Sequence, residues 1–196
     1  MIRTLRRAEN LAHERFIGID TGGVETTRFR PDAVFYATVD YGPTRRILRE
    51  LLLEPDDTFV EVGAGKGRVL CLAARHEMAE VVGIEANPRL AQIARDNVQR
   101  ARGKRTPTVV HTAMAEDYDY RHASVLYFFN PFEANVLDTV LDKIRADRAE
   151  PVRLAFVMES PAQRAVFMKH AWLECSAHWV DGTTPVTLYR TSREPR

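Results

Sequence analysis

Cysteine is nearly absent from this 196-residue chain: only Cys71 and Cys175 occur, far apart and in apolar contexts. Without a C-x-x-C pair, neither a thiolate metal site nor a disulfide framework is expected, and a reducing cytoplasm is the expected location. Long hydrophobic runs are missing as well. Val125 to Phe129 is strand-sized, far short of the ~18 residues a membrane span requires, so no membrane partner is expected. The basic start Met1-Ile2-Arg3-Thr4-Leu5-Arg6-Arg7 is not followed by an apolar segment, which argues against a secretory signal. An excess of one charge is lacking too: 28 Lys and Arg against 27 Asp and Glu leave a net +1. A dedicated nucleic-acid binder would show a basic footprint in that total, so no nucleic-acid partner is expected. The six histidines, among them His13, His76 and His122, form neither H-x-x-H nor H-E-x-x-H, so no metal is expected.

What is present reads as one folded unit. Hydrophobic residues make up 45% and charged residues 28%, ordinary values for a globular domain. A chain of this length buries roughly 70% of its unfolded surface. Residues 1 to about 16 read as a polar amphipathic helix with Leu5, Ala8, Leu11 and Ala12 on one side, followed by a loop, Gly18 to Gly23. Residues 24 to 40 fit no single pattern. A second helix opens at Asp40-Tyr41-Gly42-Pro43-Thr44 and carries Ile47, Leu48, Leu51 and Leu52 at helical spacing.

From there short apolar strands alternate with helices. Strands are expected over Thr58 to Val62, Ala79 to Ile84, Pro107 to His111, Ser124 to Phe129 and Val152 to Met158. Helices are expected over Arg68 to Ala74, Pro88 to Ala101, Glu133 to Ala146 and Pro161 to Ala171. Trp172 to Tyr189 reads as two strands around Asp181-Gly182. This predicts an α/β fold: a doubly wound, mostly parallel sheet, Rossmann-like, closed by an antiparallel C-terminal hairpin. Residues 1–44 are expected to form a helix and a lid over the site, and residues 45–196 the main domain, as a monomer or homodimer. In such a sheet a ligand lies past the carboxyl ends of the strands, where strand order reverses. Residues 63–67, 85–87 and 129–133 are thereby expected in one crevice.

The richest stretch is Val60-Glu61-Val62-Gly63-Ala64-Gly65-Lys66-Gly67-Arg68. Glycines at 63, 65 and 67 permit a tight turn and close approach of backbone to a ligand. The helix that follows aims free N–H groups at it, which favours an anionic group. The third glycine arrives one residue earlier than in the dinucleotide fingerprint G-x-G-x-x-G. Glu85 lies twenty residues past Gly65 at the end of the next strand, placed to accept hydrogen bonds from both hydroxyls of a ribose.

G-x-G-x-G after an acidic residue resembles motif I of the class I S-adenosylmethionine-dependent methyltransferases, and Val81 to Pro88 resembles their motif II. Tyr41-Gly42-Pro43-Thr44 and Asn130-Pro131-Phe132 resemble the Y-x-P-T and N-P-F elements of small bacterial members. The likeness covers roughly residues 40 to 160. It implies S-adenosylmethionine as cofactor and S-adenosylhomocysteine as product, held by Glu61, Gly63, Ala64, Gly65, Gly67, Glu85 and Ala86, with Thr44 and Asn130 at the methionine end. One departure stands out. Where family members carry a G-D-A-like element whose Asp meets the adenine amino group, this chain reads Ala113-Met114-Ala115-Glu116-Asp117. Met114 cannot accept that bond, which leaves Glu116, Asp117 or a backbone group.

Asn130-Pro131-Phe132 also resembles the [N/D]-P-P-[Y/F] element of amino-group methyltransferases, one proline short. The resemblance implies that Asn130 is a catalytic residue accepting hydrogen bonds from the target N–H, with an aromatic ring facing the developing cation. Tyr41 is the second implied catalytic residue, its ring near the sulfonium. Glu159 and His178 are the candidates for a general base; His111 and His170 have no such setting. The expected activity is methyl transfer to a nitrogen of a protein, peptide or small molecule. O-methylation, a dinucleotide-binding oxidoreductase and a non-catalytic cofactor-binding module remain open alternatives.

Overall fold

Hydrophobic side chains on both sides of the central strands dictate helices on both sides of the sheet, and the computed structural model has that architecture. It describes residues 2–23, 37–148 and 150–191. Residues 24–36 of the expected lid lie outside the described residues. In chain order the elements are α1 (Ile2–Ile17), α2 (Tyr41–Glu50), β1 (Thr58–Val62), α3 (Arg68–Ala73), β2 (Glu80–Glu85), α4 (Pro88–Arg100) and β3 (Thr108–Thr112). A 3₁₀ turn, Ala115–Asp117, precedes β4 (Val125–Phe129), α5 (Ala134–Asp147), β5 (Arg153–Val157), α6 (Pro161–Lys169), β6 (Leu173–Asp181) and β7 (Thr184–Thr191).

The seven strands lie in the order β3-β2-β1-β4-β5-β7-β6. The first five are mutually parallel; β7 runs antiparallel to both β5 and β6. The expected hairpin is therefore present, with its second strand inserted next to β5. Successive side chains on a strand point to opposite faces. Phe59 belongs to one core cluster, with Ile47, Leu48, Leu70 and Tyr127, whereas its neighbour Val60 belongs to the other, with Leu126, Phe128, Leu137 and Phe156. All of these are buried, so both faces are core.

Two local expectations change. On α1 the side formed by Ala8, Leu11 and Ala12 is exposed. The helix packs instead through Ile17, and through the polar Asn10 and Glu14, which bond to Tyr41 and Arg68. A polar face wins here because its partners are themselves buried. Leu52 does not continue α2. It lies past the cap with a φ of 50° and 71% exposure, and Arg153 bonds to the carbonyls of Leu51 and Leu52.

Strand order reverses at β1, which has β2 on one side and β4 on the other. The crevice beyond their carboxyl ends receives the glycine loop, the exit of β2 and the exit of β4.

Candidate functional site

The glycine loop is laid across the end of β2. Gly63 N and Ala64 N both donate to the Ile84 carbonyl at 2.9 Å. Gly63 has a φ of +79°, and a Cβ there would come within 2.6 Å of the Pro131 Cβ. Only glycine fits both the left-handed backbone and the contact. That contact joins the loop after β1 to the loop after β4. Gly67, also at +79°, lies where a Cβ would sit 3.2 Å from Ala94 Cβ; it brings α3 against α4.

Glu85 closes the loop from the other side. Its Oε2 accepts from Gly65 N and its Oε1 from Asn87 N, each at 2.8 Å. The carboxyl is 9% exposed. Burial pushes its pKa up, while the N–H groups of Asn87, Gly65 and Ala86 pull it back. A carboxylate oxygen has two acceptor positions. Backbone N–H groups use part of the acceptor capacity of Glu85, and the remainder is suited to a ribose hydroxyl. Ala86 lies between Glu85 and Asn87, and Asn87 caps α4 by accepting from Arg89 N and Leu90 N. A carboxylate acceptor beside a glycine turn that permits close backbone approach fits S-adenosylmethionine.

Other predicted residues sit behind this surface. Glu61 is 4% exposed, opposite Gly83 on one side and Tyr127 on the other. Its Oε2 accepts from Leu70 N at 3.1 Å, so it supports the start of α3 from beneath the loop. Burial pushes its pKa well above the ordinary range, the Leu70 N–H opposing and the Glu85 charge adding. Thr44 is fully buried and donates to the Asp40 carbonyl at 2.9 Å. The Tyr41 ring stacks on His13 with centroids 4.9 Å apart and carries the Arg68 guanidinium 4.7 Å from its centroid. In this structure the cation over Tyr41 is thus Arg68. The hydroxyls of Tyr41 and Tyr127 are buried, and burial raises the Tyr41 pKa to about 12.

Asn130 immediately follows β4 and has a φ of 39°, a region that Asn tolerates better than most residues. Its Oδ1 accepts from Gln163 Nε2 at 2.7 Å. Phe132 is not at the crevice surface. It is 8% exposed and packs edge-on to Phe128 with centroids 6.2 Å apart, because an apolar ring next to the buried end of β4 gains more in the core. Glu116 occupies the 3₁₀ turn after β3. That segment leaves beside Glu85, whose carbonyl accepts from Ala113 N at 3.2 Å. The base candidates lie farther along the sheet. Glu159 accepts from Tyr189 Oη and Thr187 Oγ1 and pairs with Arg164 at 2.8 Å; His178 Nδ1 lies 3.0 Å from Thr187 Oγ1.

A set of contacts the sequence does not announce ties the N-terminal segment to the loop. Arg68, 5% exposed, donates to Thr21 Oγ1, the Val39 carbonyl and Glu14 Oε1 at 2.8, 3.0 and 2.9 Å. Asn97 is fully buried; its Nδ2 donates to the carbonyls of Asp20 and Lys66, and its Oδ1 accepts from Asp20 N. Lys66 Nζ donates to the Gly22 carbonyl at 2.7 Å. A buried Arg inside the motif was the available signal, since such a residue requires partners.

The methyltransferase domain family matches residues 60–143. A ribosomal RNA small subunit methyltransferase A from Thermobifida fusca is 44% identical over 54 residues, 28% of this chain and 18% of that protein. The chain thus spans under a fifth of that curated relative. An RNA methyltransferase from Salinibacter ruber, solved with S-adenosylhomocysteine, superposes with a TM-score of 0.67 at 18% identity, over 82% of this chain and 97% of that one. An S-adenosylmethionine-dependent O-methyltransferase from Thermotoga maritima gives 0.61 at 15% identity, over 82% and 69%. At such identities the structural likeness establishes the fold. Residues 60–143 are thus similar to the methyltransferase domain family, and the chain has the fold of the S-adenosylmethionine-dependent methyltransferases it superposes on.

Proposed function

We propose that the protein transfers the methyl group of S-adenosylmethionine to a nitrogen of a protein, peptide or small-molecule acceptor. The observation that carries this reading is the Gly63–Pro131 contact, which brings the exit of β4, with Asn130, against the loop that Glu85 holds. Bound S-adenosylmethionine would supply an electrophilic methyl on a sulfonium that departs as a neutral thioether. Glu85 would take a ribose hydroxyl, and the glycine turn at 63–67 would let the backbone come close to the methionine end. Asn130 would meet the acceptor. Its Oδ1 bonds to Gln163 with one lone pair and retains the other for a target N–H, which turns the nitrogen lone pair toward the methyl.

Calorimetry with S-adenosylhomocysteine and with NAD tests the cofactor; binding of NAD alone would replace this reading by an oxidoreductase. Labelled cofactor incubated with a lysate of the source organism tests the acceptor. Label held through an amine identifies nitrogen, and label held as an ester or ether overturns that choice. Asn130→Ala is expected to lower transfer by roughly 10²-fold, about 3 kcal/mol of barrier, with cofactor affinity little changed. Asn130→Gly accompanies it, because alanine is strained at a φ of 39° and glycine is not. Lost cofactor binding with intact turnover per bound cofactor would move Asn130 out of the acceptor site.

We read residues 1–44 as a segment that closes over the cofactor. The bonds from Asp20, Thr21 and Gly22 to Asn97, Arg68 and Lys66 support that reading, since they rest on the loop's own flanks. Hydrogen exchange in this segment is expected to slow when S-adenosylhomocysteine is added. Equal exchange in both states would make the segment a fixed part of the fold.

A further inference from the structure

We infer that Gln163 is a positioning residue for methyl transfer, setting the side-chain amide of Asn130 so that its oxygen has one defined direction toward the acceptor. The inference rests on the role proposed above for Asn130, and its argument starts from a helix cap. The sequence Ser160-Pro161-Ala162-Gln163 places Gln at the third position of α6, and the capping box is complete: Gln163 N donates to Ser160 Oγ, and Ser160 N donates to Gln163 Oε1 at 2.8 Å. The backbone N–H of Ser160 can donate only, so it fixes which end of the Gln163 amide is oxygen.

The other end must then be the NH₂ group, and both of its protons are used. One goes to the Phe132 carbonyl at 2.8 Å, which can only accept; the other goes to Asn130 at 2.7 Å. A donor opposite Asn130 requires the Asn130 oxygen there, so Nδ2 takes the other direction. Gln163 is 2% exposed, which leaves no water to relay an alternative arrangement. The orientation of the Asn130 amide is therefore determined by a chain of bonds that begins and ends on backbone atoms. The same residue braces both ends of Asn130-Pro131-Phe132, the segment whose proline rests on Gly63. Asn130 holds a positive φ, and Gln163 supplies an external restraint on that conformation.

Gln163→Glu separates the cap from the positioning. Glu serves a capping box as well as Gln does, so α6 keeps its start. The carboxylate offers no proton to Asn130 or Phe132, and the Asn130 amide is expected to turn its NH₂ toward it. Gln163→Met removes the contacts without adding a charge, and Ser160→Ala weakens the cap without touching Asn130. In each variant three quantities are measured: initial transfer of labelled methyl into the lysate at saturating cofactor, S-adenosylhomocysteine affinity by calorimetry, and the ¹⁵N side-chain amide signal of Asn130.

Both Gln163 variants are expected to transfer on the order of ten-fold more slowly with unchanged affinity, and to shift the Asn130 signal. Ser160→Ala is expected to do neither. Asn130→Ala combined with Gln163→Glu is expected to be no slower than Asn130→Ala alone, because one residue acts through the other. Wild-type transfer rates in both Gln163 variants, decrements that multiply in the double variant, or an unmoved Asn130 signal would overturn the inference. A wild-type protein that labels nothing in the lysate would instead sink the proposed function, while the amide signal would still decide the bond between Gln163 and Asn130.

Discussion

Replacing Glu85 by alanine is expected to weaken S-adenosylhomocysteine binding by about 2–4 kcal/mol, roughly 30- to 700-fold in Kd. Two losses combine. An acceptor for the ribose disappears, and a charge-assisted hydrogen bond contributes about 1.5–3 kcal/mol. The loop also loses its tether, because Gly65 N and Asn87 N both end on this carboxyl. Glu85→Gln divides the two losses. It retains shape and one carbonyl oxygen but turns an NH₂ group toward one of those N–H donors, so it is expected to fall between wild type and Glu85→Ala. Titration calorimetry on all three proteins measures the series, with melting curves to show that the fold is intact. Unchanged affinity in a folded Glu85→Ala protein would remove Glu85 from the cofactor site.

Why Glu85 was legible in the sequence and Gln163 was not is a question of range. Glu85 belongs to a local pattern: apolar strand, acid, helix cap, at a fixed distance from a glycine turn. Each part constrains the backbone within a few residues, so the pattern survives without knowledge of the fold. The strands were legible for the same reason. Thr58–Val62 is largely apolar and runs into Gly63, and its observed bounds coincide with those expected. Gln163 meets Asn130 across 33 positions, and only the parallel pairing of β4 with β5 brings their exits together. The Ser160-to-Gln163 spacing did announce a helix start, but nothing local says what the spare amide protons reach.

The α1 face was misjudged by a related route. Small apolar residues at helical spacing indicate a buried stripe only when nothing better is available to pack. Here Glu14 and Asn10 have buried partners that draw the opposite side of the helix inward. Phe132 shows the converse: its neighbour Asn130 is at the crevice, yet the ring follows the apolar end of β4 into the core. Tyr41 was placed correctly at the entry of α2. Its cation, however, comes from Arg68, directly after the glycine loop.

Arg68→Ala is expected to destabilise the protein by about 3–5 kcal/mol, the range for removing one member of a buried ion pair. The Arg68 and Glu14 side chains are 5% and 12% exposed and their charged atoms lie 2.9 Å apart. Removing the guanidinium leaves Glu14 with the neutral Thr21 hydroxyl and N–H on its Oε1, and leaves the Val39 carbonyl without this donor. The ring of Tyr41 loses its cation as well. Arg68→Lys is expected to recover little, because one ammonium cannot reproduce three bonds in a planar fork. The double variant Arg68→Leu with Glu14→Leu is expected to be more stable than either single variant, since no unpaired charge remains. Urea unfolding gives the four stabilities. The position of Arg68 at the first turn of α3, directly after the glycine loop, extends the expectation to binding. In urea too low to unfold the protein, Arg68→Ala should expose residues 18–23 to exchange before the sheet and lower S-adenosylhomocysteine affinity in step. Stability and affinity both at wild-type levels would show that the N-terminal segment does not depend on Arg68 for its hold on the loop.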